Sequence, residues 1–475
     1  MNFKKVLKNV AYSLSSNVLS LIISTLVVLV VPKLIGVREY GYFQLYVFYT
    51  AYVGIFPLGW IDGIYLRYGG YEYGKLDKKL FHSQYLMYAI SQIAIAMILM
   101  MVIVFFVNYP GKETVLLFSA VCLILYNIRA FVLFILQGTN RIKEYASITV
   151  QDRVVYLVIV IIVLLMGKRS FVYLILADLL AKLWTMIYAI YACRDITSFK
   201  NNRFFLSFHE MWANISSGIK LLIANFASLL IIGSIRFSIE NFWGVKTFGK
   251  VSLILSVSSL AMTFVTAVSL VLFPLLRRTK RQQFHNVYIN IRDITLVLLL
   301  SFLFLYFPLK ALLPLWLPKY SQSMIYLSIL FPMCFYEGKF ELLTNTFMKT
   351  LRLENKLLMV NCLSVLVSVV LVTFNIIFMH NLNFMIFSII ISLAFRSSFG
   401  EILVSKKLKV SYLWDILGEN FMALGFITIT WNHTLLFSFI GYLILFIFYL
   451  FLKRKSLKKS SKYIHNLVGR TGHAE

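Results

Sequence analysis

Long apolar stretches alternate with short polar ones along the whole chain. They fall at roughly 12–31, 42–64, 85–107, 115–136, 154–166, 171–191, 218–235, 250–273, 294–313, 324–347, 357–379, 384–404, 413–430 and 434–452. Each is near the length of about 20 residues that an α-helix needs to cross a bilayer's hydrocarbon layer. Only helices and closed barrels satisfy their backbone polar groups inside lipid, and these runs are far too long for barrel strands. The pattern therefore predicts an all-α polytopic membrane protein with about fourteen transmembrane helices. The polar segments between runs are too short to hold a folded soluble domain, so any chemistry sits in or beside the membrane.

Composition agrees with the pattern. Apolar residues make up 60% of the 475-residue chain and charged residues 14%, and mean hydropathy is +0.82. A soluble domain carries roughly 45–50% apolar and 25% charged residues. The net charge of +27, from 46 Lys and Arg against 19 Asp and Glu, would suggest a nucleic-acid partner in a soluble protein. Here the basic residues fall mainly between apolar runs, so the charge is read as orientation and no nucleic acid is expected. With the N-terminus inside, about 31 Lys and Arg fall on inside segments, about 9 outside and about 6 within spans. Lys75, Lys78 and Lys79, Arg277 and Arg278, Lys406, Lys407 and Lys409, and the tail KRKSLKKSSK all belong to the inside set. Both termini are thus expected in the cytoplasm. The basic N-terminus lacks a small-residue cleavage site and reads as an uncleaved first span. Cys122, Cys193, Cys334 and Cys362 form no CxxC or Cys/His cluster, which predicts neither disulfides, a metal site nor a cofactor.

An internal repeat divides the chain. GVREYGYFQL at 36–45 matches GVKTFGKVSL at 244–253, a constant offset of 208 residues that also pairs Asn17 with Asn225 and Ser20 with Ser228. A weaker echo pairs Thr139 with Thr350 and Arg141 with Arg352. Six spans separate the copies, an even number, so both have the same topology; parallel repeats of this kind build two-lobed transporters. The expected organisation is an N-lobe over 1–209, a C-lobe over 210–404, and two further helices with a basic cytoplasmic tail over 405–475.

The run from Pro32 to Gly70, PKLIGVREYGYFQLYVFYTAYVGIFPLGWIDGIYLRYGG, resembles the start of the polysaccharide flippases that export lipid-linked oligosaccharides. The likeness continues at LQGTNRIKEY (136–145) and FPLLRR (273–278). These flippases share a superfamily with the multidrug-extruding MATE transporters and the lipid II flippases. The resemblance implies an alternating-access carrier in a bacterial inner membrane, with a central cationic cavity for an undecaprenyl-pyrophosphate-linked glycan such as an O-antigen, capsule or exopolysaccharide repeat. The implied partners are that substrate, membrane lipid and other polysaccharide assembly proteins.

Charges retained inside a bilayer are expensive and become functional candidates by default. Arg129, Arg396 and Lys220 are candidates for holding the pyrophosphate, Arg through paired hydrogen bonds and Lys as a point charge. Snorkelling at a span end or pairing with a nearby acid is the competing account, and it is favoured for Lys310. Asn17 and Asn225, on stripes of small polar residues, are candidates for glycan contact, although such stripes also serve close helix packing. Asp178 and Lys182 are four apart and share a helix face with Thr185; they read either as an ion pair or as a coupling site. Glu337 and Glu341 share a face with Thr344. Two acids one turn apart require a proton or a cation partner, which fits ion coupling as well as structural pairing. Lys339 points away from that face. Pro57 and Pro332 interrupt apolar runs and are the expected bending points.

Two other function classes remain in view. A membrane polymerase or glycosyltransferase would need an acidic metal motif or a large external loop, and the outside loops are too short for one. The chain has no GxxxxGK[ST] phosphate loop, so no ATP-driven step and no catalytic residues are expected; energy is expected from an ion gradient, the membrane potential or substrate flux. A MATE-like exporter of small cations would want net acidic residues in the cavity, whereas the embedded charges here lean basic or balanced.

Overall fold

The computed structural model describes residues 22–198, 204–278 and 283–471. The chain is 89% helical, with no strand among the described residues, and each apolar run lies mainly on helix where it is described. Helix α1 (Ile22–Leu34) holds the described part of the first run. The second run is shared by α2 (Val37–Thr50), a 3-10 turn at Val53–Ile55, and α3 (Trp60–Tyr68). The two halves are bent by 56°. The break falls at Pro57, whose ring removes a backbone donor, and Leu58 and Gly59 follow in the left-handed region at φ 53° and 85°.

Four helices take the next four runs: α4 (Lys78–Phe106), α5 (Pro110–Gly138), α6 (Ile142–Leu165) and α7 (Phe171–Ala192). Their starts follow local chemistry. The Asp77 side chain accepts from the Lys79 and Leu80 amides to cap α4, and Pro110 opens α5, where a missing N–H costs nothing. A single turn, α8 (Arg194–Thr197), precedes α9 (Phe208–Arg278), which carries the seventh and eighth runs. Helix α9 is interrupted at Gly244, at φ 77° and ψ 171°, a conformation a side chain would resist.

The ninth run becomes α10 (Phe284–Phe302) and α11 (Tyr306–Trp316). The tenth is the most broken: α12 (Ile325–Leu330), a turn at Pro332, α13 (Met333–Lys339), a π-helical turn over Phe340–Asn345, and α14 (Thr346–Thr350). The last four runs are α15 (Glu354–Phe374), α16 (Leu382–Leu408), α17 (Leu413–Thr430) and α18 (Leu435–Thr471). Among the described residues nine helical segments are long and apolar enough to cross a membrane, ten with the bent pair. One of the nine, Phe208–Leu260, has 53 residues, roughly 80 Å of helix and enough for two crossings.

Two compact units divide the described residues. The first runs to Phe226 and adds Val245–Gly249; the second is Ala227–Gly244 with the chain from Lys250 onward. In the first unit α5 is the centre, packed on α2, α3, α4, α6 and α7. Its apolar window is 67% buried against 17% for α4, which marks α4 as a helix facing outward. Tyr88, Phe131 and Ile148 sit fully enclosed around it. In the second unit α16 packs on α12, α13, α15 and the π-helical turn, while α10 packs on α13 and α18, and α17 on α12 and α18.

The sequence repeat has a structural counterpart. Its aligned glycines both stand at a helix break: Gly36 is extended immediately before α2, and Gly244 interrupts α9. Its second pair of glycines touch each other. A Cβ on Gly249 would lie 2.6 Å from the Gly41 Cα, and one on Gly41 would run into the Val245 carbonyl oxygen. Gly41 aligns with Gly249 and Val37 with Val245, so the two copies cross at equivalent positions, with Phe48 edge-on to Phe248 at 5.6 Å. Only small residues allow helix backbones this close.

Candidate functional site

Most embedded charges lie on the central helix of a unit or against it, and nearly all meet a charge of opposite sign. Arg129 projects from α5 and is 7% exposed. Its Nη1 donates to Asp152 Oδ1 on α6 at 2.6 Å and to Thr185 Oγ1 on α7 at 2.8 Å, while its Nε is buried without a partner. One turn back on α7, Lys182 pairs with Asp178, and the Tyr46 hydroxyl of α2 donates to the other oxygen of Asp178 at 2.6 Å. Tyr42, also on α2, packs on Phe171 at 4.9 Å, and Tyr52 stands edge-on to Phe226 at 5.8 Å.

The second unit repeats the arrangement on α16. Arg396, 2% exposed, donates through Nε to Asn361 Oδ1 at 3.1 Å, through Nη1 to Glu337 Oε1 at 3.2 Å and through Nη2 to Ser228 Oγ at 2.6 Å. Its guanidinium lies 3.7 Å above the Phe340 ring, within cation–π range. Glu341, one turn beyond Glu337 and inside the π-helical turn, accepts from Asn345 Nδ2 at 2.7 Å. The expected acidic pair is thus present, with Arg396 as the cation for its first member. π-Helical turns in otherwise α-helical spans concentrate at functional sites.

Lys339 points away from that face, as its helical position requires, into a separate cluster. It bridges Glu401 of α16 and Glu419 of α17. Arg292 of α10 reaches Asp415 at 2.7 Å, Glu401 at 3.5 Å and its neighbour Asp293 at 3.6 Å. Lys453 of α18 pairs with Asp415, and Ser456 donates to Asp293. Charge pairs and hydrogen bonds make such burial tolerable inside lipid.

The other expected contacts are placed differently. Lys220 and Asn225 are both exposed on α9. They lie five residues apart, about 140° around the helix, so they do not share a face. Asn17 lies outside the described residues. Lys310 donates to the Thr430 carbonyl at 3.1 Å, in keeping with a structural role. Asp152, Arg292, Asp415 and Glu419 have no candidate role in the sequence reading, and Lys453 enters it only as the first residue of the basic tail. Asp152, Arg292 and Lys453 lie one or two residues beyond the ends of apolar runs, where a charge looks interfacial. Asp415 and Glu419 lie within one, at the four-residue spacing that puts them on one face.

At the end of the first unit, outside the spans, Tyr73 is held between two cations, with Lys78 3.3 Å and Arg141 4.3 Å from its ring centroid. Its hydroxyl donates to Asp195 Oδ1 at 2.5 Å, and Lys78 pairs with the other oxygen at 2.9 Å. Partial burial pushes the Asp195 carboxyl up, but the Tyr73 hydroxyl and Lys78 outweigh it and hold it below the usual carboxylate range. Burial pushes the nearby Cys193 thiol up, which makes it an unreactive packing residue.

A family model described as polysaccharide biosynthesis protein matches residues 6–280. No curated protein matches. Among solved structures, an inward-facing multidrug resistance MATE family transporter of the MOP superfamily is similar at a TM-score of 0.67 and 12% identity, over 83% of this chain and 98% of that one. The lipid II flippase MurJ, in an inward closed conformation, is similar at 0.59 and 12% identity, over 94% of this chain and 99% of that one. A MOP superfamily transporter from Pyrococcus furiosus, whose binding pocket is described as having reverse polarity, is similar at 0.58 and 11% identity, over 85% and 96%. At these identities the likeness is one of fold.

Proposed function

The chain belongs to the polysaccharide biosynthesis protein family, and on that premise we propose that it is a flippase. Its cargo is an undecaprenyl-pyrophosphate-linked oligosaccharide, carried across the bacterial inner membrane by alternating access with the termini in the cytoplasm. The family match carries this reading: it lies on a polytopic helical chain whose fold resembles that of a lipid II flippase along nearly its whole length. Among the described residues no long loop could present catalytic residues, which supports a carrier over a polymerase.

Arg129 and Arg396 serve this function as exchangeable cations. In the structure each holds a carboxylate, Asp152 or Glu337. A pyrophosphate offers the same bidentate acceptor geometry with more charge, so it competes for the guanidinium. Lys220, exposed on α9, provides a first electrostatic contact. Glu337 and Glu341, or Asp178 with Lys182, then take up the coupling ion when the arginine is withdrawn.

The test is reconstitution. Purified protein in liposomes is expected to translocate an undecaprenyl-linked oligosaccharide chemically unchanged. Recovery of an altered lipid indicates an enzyme, and efflux of small organic cations without saccharide movement indicates a multidrug exporter; either result overturns the proposal.

A further inference from the structure

The Lys339 cluster in the second unit has an unbalanced charge. Its members are drawn from α10, α13, α16, α17 and α18, and their side chains are buried except for a fifth of Lys453. Three are cations, Arg292, Lys339 and Lys453; four are acids, Asp293, Glu401, Asp415 and Glu419. Three acids have a donor or a cation at both oxygens. Glu401 meets both Lys339 and Arg292, Asp415 meets both Arg292 and Lys453, and Asp293 accepts from Ser456 through Oδ2 while its Oδ1, without a hydrogen bond, lies 3.6 Å from Arg292 Nε. Glu419 meets Lys339 alone through Oε2. Its Oε1 is buried without a hydrogen-bond partner, and the residue is 1% exposed. A buried carboxylate oxygen with neither a donor nor an ion pair is the least tolerable of these states, and neutralising it removes both the missing bond and the surplus charge.

We infer that Glu419 is a proton-binding site: the buried cluster is complete with one proton on this carboxyl, and that proton is exchanged during transport. Protonated Glu419 leaves three acids against three cations. The groups facing it are Lys339 and Tyr336 from α13, Glu401 from α16, Arg292 and Tyr288 from α10, and Tyr449 from α18. Asp415 lies one turn away on its own helix. Lys339 Nζ occupies the point between Glu401 and Glu419, where a metal ion would otherwise bridge them, so the geometry favours a proton over sodium. Loss of the proton leaves Lys339 shared between two charged acids and biases the contact between α17 and α13. The exchange step rests on the flippase reading; the site does not.

Two measurements separate them. Infrared spectroscopy of the purified full-length protein at neutral pH, with no substrate, is expected to show the carbonyl stretch of a protonated carboxyl that Glu419→Gln removes and Glu401→Gln leaves. Glutamine has the shape and charge of the protonated acid, so the variant is expected to fold; equal yield and thermal stability check this. No such band in the wild type, or a band that Glu419→Gln leaves intact, overturns the site. In liposomes, an imposed pH step is expected to change the wild-type translocation rate and to leave the Glu419→Gln rate unchanged. Translocation that ignores the pH step, or follows a sodium step instead, overturns the exchange and leaves the flippase reading standing. Absence of any translocation overturns the flippase reading and the exchange with it, while the infrared band still decides the site.

Discussion

At the scale of single residues, burial decides what each charge can do. Removing one member of a buried ion pair strands the other, at a cost of about 3–5 kcal/mol, whereas replacing both by apolar groups is near neutral. Arg129→Ala is therefore expected to lower thermal stability in detergent by that order, because Asp152 and Thr185 lose their shared donor. Arg129→Met with Asp152→Leu is expected to recover most of the loss. Lipid-linked oligosaccharide transport measured in the stable double variant then isolates the substrate role. Transport at the wild-type rate would show that Arg129 is structural. The Asp195 cluster gives a pH prediction of smaller size. Its carboxyl is held low in the folded protein, so its contribution is full above the unfolded value of about 3.9 and fades as pH falls through the lower folded value. Asp195 is half exposed, so the melting temperatures of wild type and Asp195→Asn are expected to differ slightly at pH 7 and to converge below pH 4. Several charged candidates were legible as isolated letters in apolar runs. Their partners were not, because pairing is a tertiary fact: Asp152 lies 23 residues from Arg129, and Glu419 lies 80 from Lys339.

Helices and their breaks carry the next level. Gly36 and Gly244 occupy the same place in the repeat, yet their backbones differ: Gly36 is extended at φ −72°, open to any residue, and Gly244 is at φ 77°. Gly36→Ala is expected to be silent in a thermal melt, and Gly244→Ala to cost about 1–3 kcal/mol. Equal effects would mean that the interruption of α9 shifts its backbone at no cost. Gly249→Ala tests the crossing instead, since the added methyl meets the Gly41 backbone at 2.6 Å; overpacking of this kind costs about 1–3 kcal/mol. Element positions were legible almost throughout, because a bilayer forces any run of this length to be helical. Pro57 gave away the bend in the second span for the same backbone reason. The π-helical turn over Phe340–Asn345 had no signal of its own, since nothing in FELLTN departs from ordinary helical preference. The contact of Gly41 with Gly249 was half visible: the repeat aligned them, but alignment does not say that equivalent residues touch.

For the whole molecule, the last two helices pose the sharpest question. They lie outside the sequence repeat, which suggests an appendage, yet their charges are built into the second unit. Asp415 and Glu419 of α17 are partners of Arg292 and Lys339, Lys453 of α18 pairs with Asp415, and the Tyr442 hydroxyl donates to the Leu300 carbonyl of α10 at 2.7 Å. An independent accessory pair would meet the rest through lipid-like surfaces and could be removed with little consequence. Truncation after Leu408 instead removes Asp415, the closest ion-pair partner of Arg292 at 2.7 Å, and Glu419, one of the two acids on Lys339. Glu401 and Asp293 then stand alone against both cations, at 3.5 and 3.6 Å from Arg292, and poorly paired buried charges are costly inside a membrane. The truncated chain is expected to insert but to lose its cooperative melt. Co-expressing residues 409–475 as a separate segment is expected to restore the melt, since it returns Asp415, Glu419 and Lys453 together. A truncated protein that melts like the full chain would show that the charge network is dispensable, and that α17 and α18 are appended after all.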